Sequence, residues 1–258
     1  MNVKDSNVDP AALAVFRDVM TVDPPEDLPP EQWRALDRSF GQLWPAPGLR
    51  RRDRRLVTIT CLAFAVTAGP LRAHVYAALS SGDLTIEEML EVVLHFAVYC
   101  GWPKASNLEM HVRACWAQVQ RDRGGQPRPL PPLGPDDLGR NDWEARLQRG
   151  EQEFRDVNLI QAPPRDSPYQ HSGILGYVFG HVWQRPGLSR RDRRLVTVAS
   201  VGLCEAPVPI ASHVGSALAS GDIPRSEMDE LIRHFAAYAG TARAQALTAA
   251  ASGTTPCR

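Results

Sequence analysis

A chain of 258 residues is long enough for one large domain or two of ordinary size, and its 29 basic and 29 acidic residues cancel. That balance excludes a global field drawing the protein to nucleic acid or to a membrane surface. No stretch reaches the roughly 18 apolar residues of a membrane span, and the N-terminal MNVKDSNVDPAALAVF lacks the apolar core of a signal sequence, so a cytoplasmic location is expected.

The first strong element is Arg55–Phe64, a nearly continuous apolar run with the length of a buried helix, and Asp53 ahead of it suits an N-terminal turn. Gly69-Pro70 breaks the chain and predicts a new helix opening at Pro70. That helix carries His74, Ala77 and Ala78 on one side and stops at Ser81-Gly82. Thr85-Ile86-Glu87-Glu88 is a capping box opening a third helix, with Met89, Val92, Val93, Phe96 and Tyr99 on its apolar side. Ala105 to Val119 predicts a further helix, and Arg121–Arg140 is dense in Pro and Gly and predicts a linker. No segment alternates like a strand, so the fold class is all-α.

The same elements then return. Phe40-Gly41-Gln42-Leu43-Trp44 recurs 139 residues later as Phe179-Gly180-His181-Val182-Trp183, and PGLRRRDRRLVT from Pro47 recurs as PGLSRRDRRLVT from Pro186. The register carries His74 onto His213, His95 onto His234 and Tyr99 onto Tyr238. Upstream, Phe16-Arg17-Asp18-Val19 recurs as Phe154-Arg155-Asp156-Val157 at a spacing of 138. An internal repeat sets the architecture. The expected organisation is copy one over residues 1–120, the linker over 121–141 and copy two over 142–258, each copy large enough for its own core.

Several spaced motifs carry a family resemblance. Copy one offers Trp44 with Pro47-Gly48-Leu49, then Arg54-Arg55-Leu56-Val57-Thr58, His74, Gly82, Glu87-Glu88-Met89-Leu90-Glu91 and Tyr99-Cys100-Gly101-Trp102-Pro103. Copy two offers Trp183 with Pro186-Gly187-Leu188, Arg193-Arg194-Leu195-Val196-Thr197, His213, Gly221, Ser226-Glu227-Met228-Asp229-Glu230 and Tyr238-Ala239-Gly240. Each copy resembles the carboxymuconolactone decarboxylase family, within the alkylhydroperoxidase-like superfamily. The resemblance implies two tandem helical domains and a cofactor-independent lyase, acting by acid/base chemistry on a small oxygenated carboxylic acid or lactone. It also implies an assembly of six units, which two units per chain would reach as a homotrimer.

The departures are specific. The thiol-dependent branch places cysteines seven and four residues before the histidine, where this chain has Thr67 and Pro70, then Ala206 and Pro209. Thiol-based peroxide turnover is therefore not expected. The decarboxylases commonly place a glutamate four residues before the histidine, and here that position is Pro70 or Pro209. The same fold could instead serve cyclisation, dehydration or isomerisation in a biosynthetic pathway, or a catalytically silent binding role.

Decarboxylation without a cofactor needs a cation for a carboxylate, a dry pocket and an acid for the carbanion. His74 and His213 are the candidate acids, since imidazole titrates nearest neutrality. Arg52, Arg54, Arg191 and Arg193 are candidate carboxylate binders, or else an arginine-rich helix start pairing with acids of a neighbouring helix or subunit. Trp44, Tyr99, Trp183 and Tyr238 are candidate pocket walls. Because copy one keeps Gly101-Trp102-Pro103 where copy two has Gly240-Thr241-Ala242, the working pocket is expected in copy one. Glu91 and His95, repeated as Glu230 and His234, share a helix side at i and i+4 and suit a structural hydrogen-bonded pair. No spacing predicts a metal, flavin or nucleotide site. The five cysteines, Cys61, Cys100, Cys115, Cys204 and Cys257, form no C-x-x-C pair and are expected as buried reduced thiols.

Overall fold

Capping chemistry fixes where the helices begin. In the computed structural model, which describes residues 8–132 and 142–253, Thr85 Oγ1 accepts the Glu88 N–H at 3.2 Å and Glu88 Oε2 accepts the Thr85 N–H at 2.8 Å. Ser189 and Asp192 make the same reciprocal pair in copy two, each bond 3.1 Å. The helices of copy one are α1 (Pro10–Met20), α2 (Pro30–Arg38), α3 (Arg51–Ala65), α4 (Ala68–Ser81), α5 (Ile86–Cys100) and α6 (Trp102–Asp122). Those of copy two are α7 (Trp143–Asn158), α8 (Arg190–Leu203), α9 (Pro207–Ala219), α10 (Arg225–Ala239) and α11 (Thr241–Ala251). The described residues contain no strand.

Several boundaries differ from the sequence expectation, α3 and α6 each being longer at both ends. Helix α4 opens at Ala68, so Pro70 sits inside the first turn, where its missing N–H forfeits no intrahelical bond. The predicted linker begins late, because Arg121 and Asp122 still belong to α6; residues 133–141 lie outside the described residues.

Period-3.6 reasoning also misses the π-helical stretches Ser39–Leu43 and Tyr169–Phe179, whose wider turns precede Trp44 and Trp183. The second lies in backbone contact with α7. A Cβ on Gly150 would collide with the Leu175 carbonyl, and one on Gly180 would meet the same oxygen, so only glycine permits this approach.

The two copies do not fold around separate cores. Helix α3 packs on α8, α5 of copy one packs on α8, and α10 of copy two packs on α3. One continuous core results, with Leu56, Ile59 and Phe96 from copy one and Leu195, Val198 and Phe235 from copy two. The apolar sides of α5 and α10 are each completed by the other copy. That exchange is what builds the sites described next.

Candidate active site

His74 rises from α4 and is buried, stacked parallel to Trp44 with ring centroids 5.7 Å apart. Tyr238, from α10 of the other copy, meets the imidazole edge-on at 5.9 Å, and its hydroxyl accepts the Trp44 indole N–H at 2.9 Å. The second site repeats this in mirror order. His213 of α9 lies parallel to Trp183 at 6.3 Å, Tyr99 of α5 meets it edge-on at 5.6 Å, and the Trp183 N–H donates to Tyr99 Oη at 2.9 Å. Each site is therefore composite. Tyr99, a candidate pocket wall from copy one, completes the site of His213, because α5 packs on the other copy.

Behind each aromatic trio stands a second histidine. His234 Nε2 lies 2.8 Å from Thr58 Oγ1 and its Nδ1 lies 3.2 Å from Arg54 Nη1; His95 takes Thr197 at 2.8 Å and Arg193 at 3.4 Å. Guanidinium can only donate, so Nδ1 accepts and the proton sits on Nε2, which donates to the threonine. Arg54 also donates to Glu230 at 2.6 Å and to the Ala46 carbonyl at 2.6 Å, while Arg193 donates to the Arg185 carbonyl at 2.7 Å and pairs with Glu91 at 3.5 Å. Glu91 and His95 are thus joined through Arg193, and Glu230 and His234 through Arg54. Among the described residues no three His, Cys, Asp or Glu side chains converge as metal ligands.

The arginines expected to grip a carboxylate serve the scaffold. Arg52 pairs with Asp192 at 3.2 Å and Glu88 at 2.9 Å, and Arg191 pairs with Asp53 at 3.0 Å and Glu227 at 2.5 Å. These reciprocal bridges bind the starts of α3 and α8 together, which is the neighbouring-helix alternative. Arg54 and Arg193 are fully buried on the groups just described. Sequence reasoning passed over their neighbours, Arg55 and Arg194. Both are fully buried, with guanidinium carbons 5.2 Å from the Trp44 ring and 5.7 Å from the Trp183 ring. Asp83 and the Val19 carbonyl hold Arg55; Asp222 and the Val157 carbonyl hold Arg194. The recurrence of Arg-Arg-Leu in both copies was the available signal.

Burial first, and the charge of Arg55 or Arg194 second, push His74 and His213 each down to about 3. Both imidazoles are therefore neutral at pH 7, where sequence reasoning expected acids. Burial pushes the Tyr99 hydroxyl up to about 12, so it stays protonated. The Nδ1 atoms of His74 and His213 are buried without a hydrogen-bond partner among the described residues.

A cavity of about 500 Å³ opens onto His213. Phe154, Ile174 and Val178 of copy two and Val98 and Tyr99 of copy one form its apolar walls, and among the described residues no Asp, Glu, Lys or Arg side chain lines it. Beside the imidazole, Ser212 Oγ donates to Asn158 Oδ1 at 3.1 Å. Pro209 is part of the wall, so apolar surface occupies the place where the family commonly has a glutamate.

The family model for carboxymuconolactone decarboxylases matches residues 29–113 and 171–252, so both halves of this composite arrangement fall under it. The chain belongs to the carboxymuconolactone decarboxylase family. It is 38% identical over 89 residues to 4-carboxymuconolactone decarboxylase of Acinetobacter baylyi, a match covering 34% of this chain and 63% of that protein. It is 34% identical over 89 residues to nitrosuccinic acid decarboxylase npaB of Metarhizium robertsii, covering 34% of this chain and 61% of that one. The chain thus spans about three fifths of the length of each relative.

Within this duplicated family member the two sites have diverged. At the places of Asn158, Ser212 and Ser216 in copy two, copy one has Met20, Ala73 and Ala77. Ser216 accepts Arg194 Nη1 at 2.9 Å, whereas Arg55 Nη1 has no partner among the described residues. The expectation that copy one alone forms the working pocket rested on the Gly101-Trp102-Pro103 turn. That turn follows Tyr99, whose ring belongs to the site of His213, while none of its three residues lines the cavity there.

Proposed function

We propose that the protein is a lyase of the decarboxylase type and that the site at His213 carries the reaction on a small oxygenated carboxylic or lactone acid with an apolar body. The observation that supports this most is the largely apolar cavity, with no Lys or Arg among its described walls, ending on a neutral imidazole. A carboxylate entering it sheds hydration and meets no cation on the walls, and loss of CO₂ disperses that charge. The same carboxylate favours the imidazolium form of His213, so a proton is taken up with the substrate. When the C–C bond breaks, its electron pair passes to the substrate as a carbanion or enolate. His213 returns the proton there and is neutral again. Ser212 and Asn158 supply the polar groups for a substrate oxygen. Walls without a cation favour a monoacid over a diacid.

Pro209 in place of the glutamate favours a second reading, in which neutral His213 is a base for isomerisation, dehydration or cyclisation without CO₂ loss. A panel of oxo and lactone monoacids, with 4-carboxymuconolactone and nitrosuccinic acid, separates the two when assayed in D₂O for CO₂ and for deuterium. The expected result is CO₂ release with deuterium at the carbon that lost it. His213→Gln should lower turnover by roughly 10²–10⁴-fold, the usual weight of a general acid or base, with unchanged circular dichroism and assembly size. Deuterium entering the substrate without CO₂ supports the second reading. No turnover of any panel member supports a silent binding role, and greater damage from His74→Gln moves the chemistry to the other site.

A further inference from the structure

The expectation of buried thiols holds for Cys61 and Cys115, fails for Cys204, which is exposed, and is only half met by Cys100; Cys257 lies outside the described residues. Cys204 caps the C-terminus of α8, and its Sγ lies 3.4 Å from the carbonyl oxygen of Tyr99. The next residue, Cys100, ends α5, and its half-buried thiol interacts electrostatically with that of Cys204. Two helix ends from different copies thus bring together thiols 104 residues apart.

Pseudo-symmetry makes the pair informative. The positions equivalent to Cys204 and Cys100 are Ala65 and Ala239, so the corresponding junction on the other side carries two alanines. Packing of the repeat therefore requires neither thiol. The pair stands only on the side of the His213 cavity, whose lining includes Cys204.

We propose that Cys100 and Cys204 are a hydroperoxide-reactive thiol pair that closes reversibly to a disulfide, tying the two copies together at the wall of the His213 cavity. Cys204 is the attacking thiol, being exposed and near the Lys104 ammonium. The neighbouring Cys100 thiol is the main influence pushing it down to about 7; burial opposes this and Lys104 assists, while Cys100 is pushed up and keeps its proton. The Cys204 thiolate attacks one oxygen of ROOH, the O–O bond breaks, and the released alkoxide takes a proton to leave as ROH. Cys100 then attacks the sulfenic sulfur, the S–O bond breaks and water leaves with the thiol proton. The sum is two thiols and ROOH to one disulfide, ROH and water, and a small dithiol reverses it by exchange. This is a stoichiometric switch, independent of the reaction at His213 and away from the positions used by the thiol-dependent branch.

The test uses the full reduced chain and hydrogen peroxide at one equivalent, with alkylation and peptide mapping by mass spectrometry. The expected product is a single Cys100–Cys204 cross-linked peptide, removed by dithiothreitol, with Cys61 and Cys115 alkylated only after unfolding. Because the thiolate attacks, the rate should fall about eightfold from pH 7.5 to pH 6. Cys100→Ala should leave Cys204 as a sulfenic acid that dimedone traps, and Cys204→Ala should leave Cys100 unoxidised. A disulfide through Cys257, a cross-link between chains, or full alkylation of both thiols after peroxide would overturn the proposal.

Discussion

Lowering the pH from 8 to 5 should destabilise this protein, because four histidines are buried in neutral form. His74 and His213 are held near 3, and His95 and His234 are also pushed down, by burial first and by neighbouring arginines next. The groups facing His213 are Arg194 from α8 and Tyr99 and His95 from α5; those facing His74 are Arg55 from α3 and Tyr238 and His234 from α10. An unfolded chain takes up protons on these side chains near pH 6.5, whereas the folded state refuses them down to about 3 for His74 and His213. Below 6.5 the unfolded state binds more protons, so stability is fully present above that pH and declines beneath it. From pH 8 to pH 5 the linkage integral is about 2 kcal/mol for each of these two histidines, and about 4 kcal/mol for the pair. Urea unfolding at fixed protein concentration, followed by circular dichroism, measures it directly. His213→Gln should remove about 2 kcal/mol of the pH-dependent loss, that residue's share of the linkage. Equal stability at the two pH values, or an undiminished loss in His213→Gln, would refute the neutral-histidine argument.

Two further outcomes follow from packing and assembly. Gly150→Ala should destabilise the fold by about 2–3 kcal/mol in urea titration because its Cβ meets the Leu175 carbonyl, whereas Gly173→Ala, with nothing within 4 Å, should be nearly neutral. Fusion supplies two family units per chain, and Trp102, Tyr169 and Val208 are exposed, so light scattering should find a homotrimer; a stable monomer at micromolar concentration would refute it.

What was legible in the sequence was what neighbouring residues decide alone. The Thr85–Glu88 box and the Gly82 stop each specify their element within a few positions, and the repeat supplied the order of the rest. Partnership across the copies was not legible in the same way. A tyrosine fourteen residues after Thr85 can serve its own histidine or its neighbour's, and only the packing of α5 on α8 decides for His213. Charge reasoning failed at Arg55 and Arg194 for a related reason. An arginine is expected at the surface until the aspartate, the backbone carbonyl and the indole face that receive it are brought together from distant segments.

Exchange across the copies also bears on why the two sites differ. In an assembly of identical single units every change appears in every site. Here a change in α5, such as Ala or Cys at position 100, reaches the side of His213 alone, and a change in α10 reaches the site of His74. Met20 and Ala73 against Asn158 and Ser212 show the two sites moving apart in polarity while keeping the same Trp–His–Tyr frame. Duplication within one chain thus separates what the scaffold requires, repeated in both copies, from what one site adds. The residues added only beside His213, namely Asn158, Ser212, Ser216, Cys100 and Cys204, are where substitutions should change chemistry or regulation while leaving the fold intact.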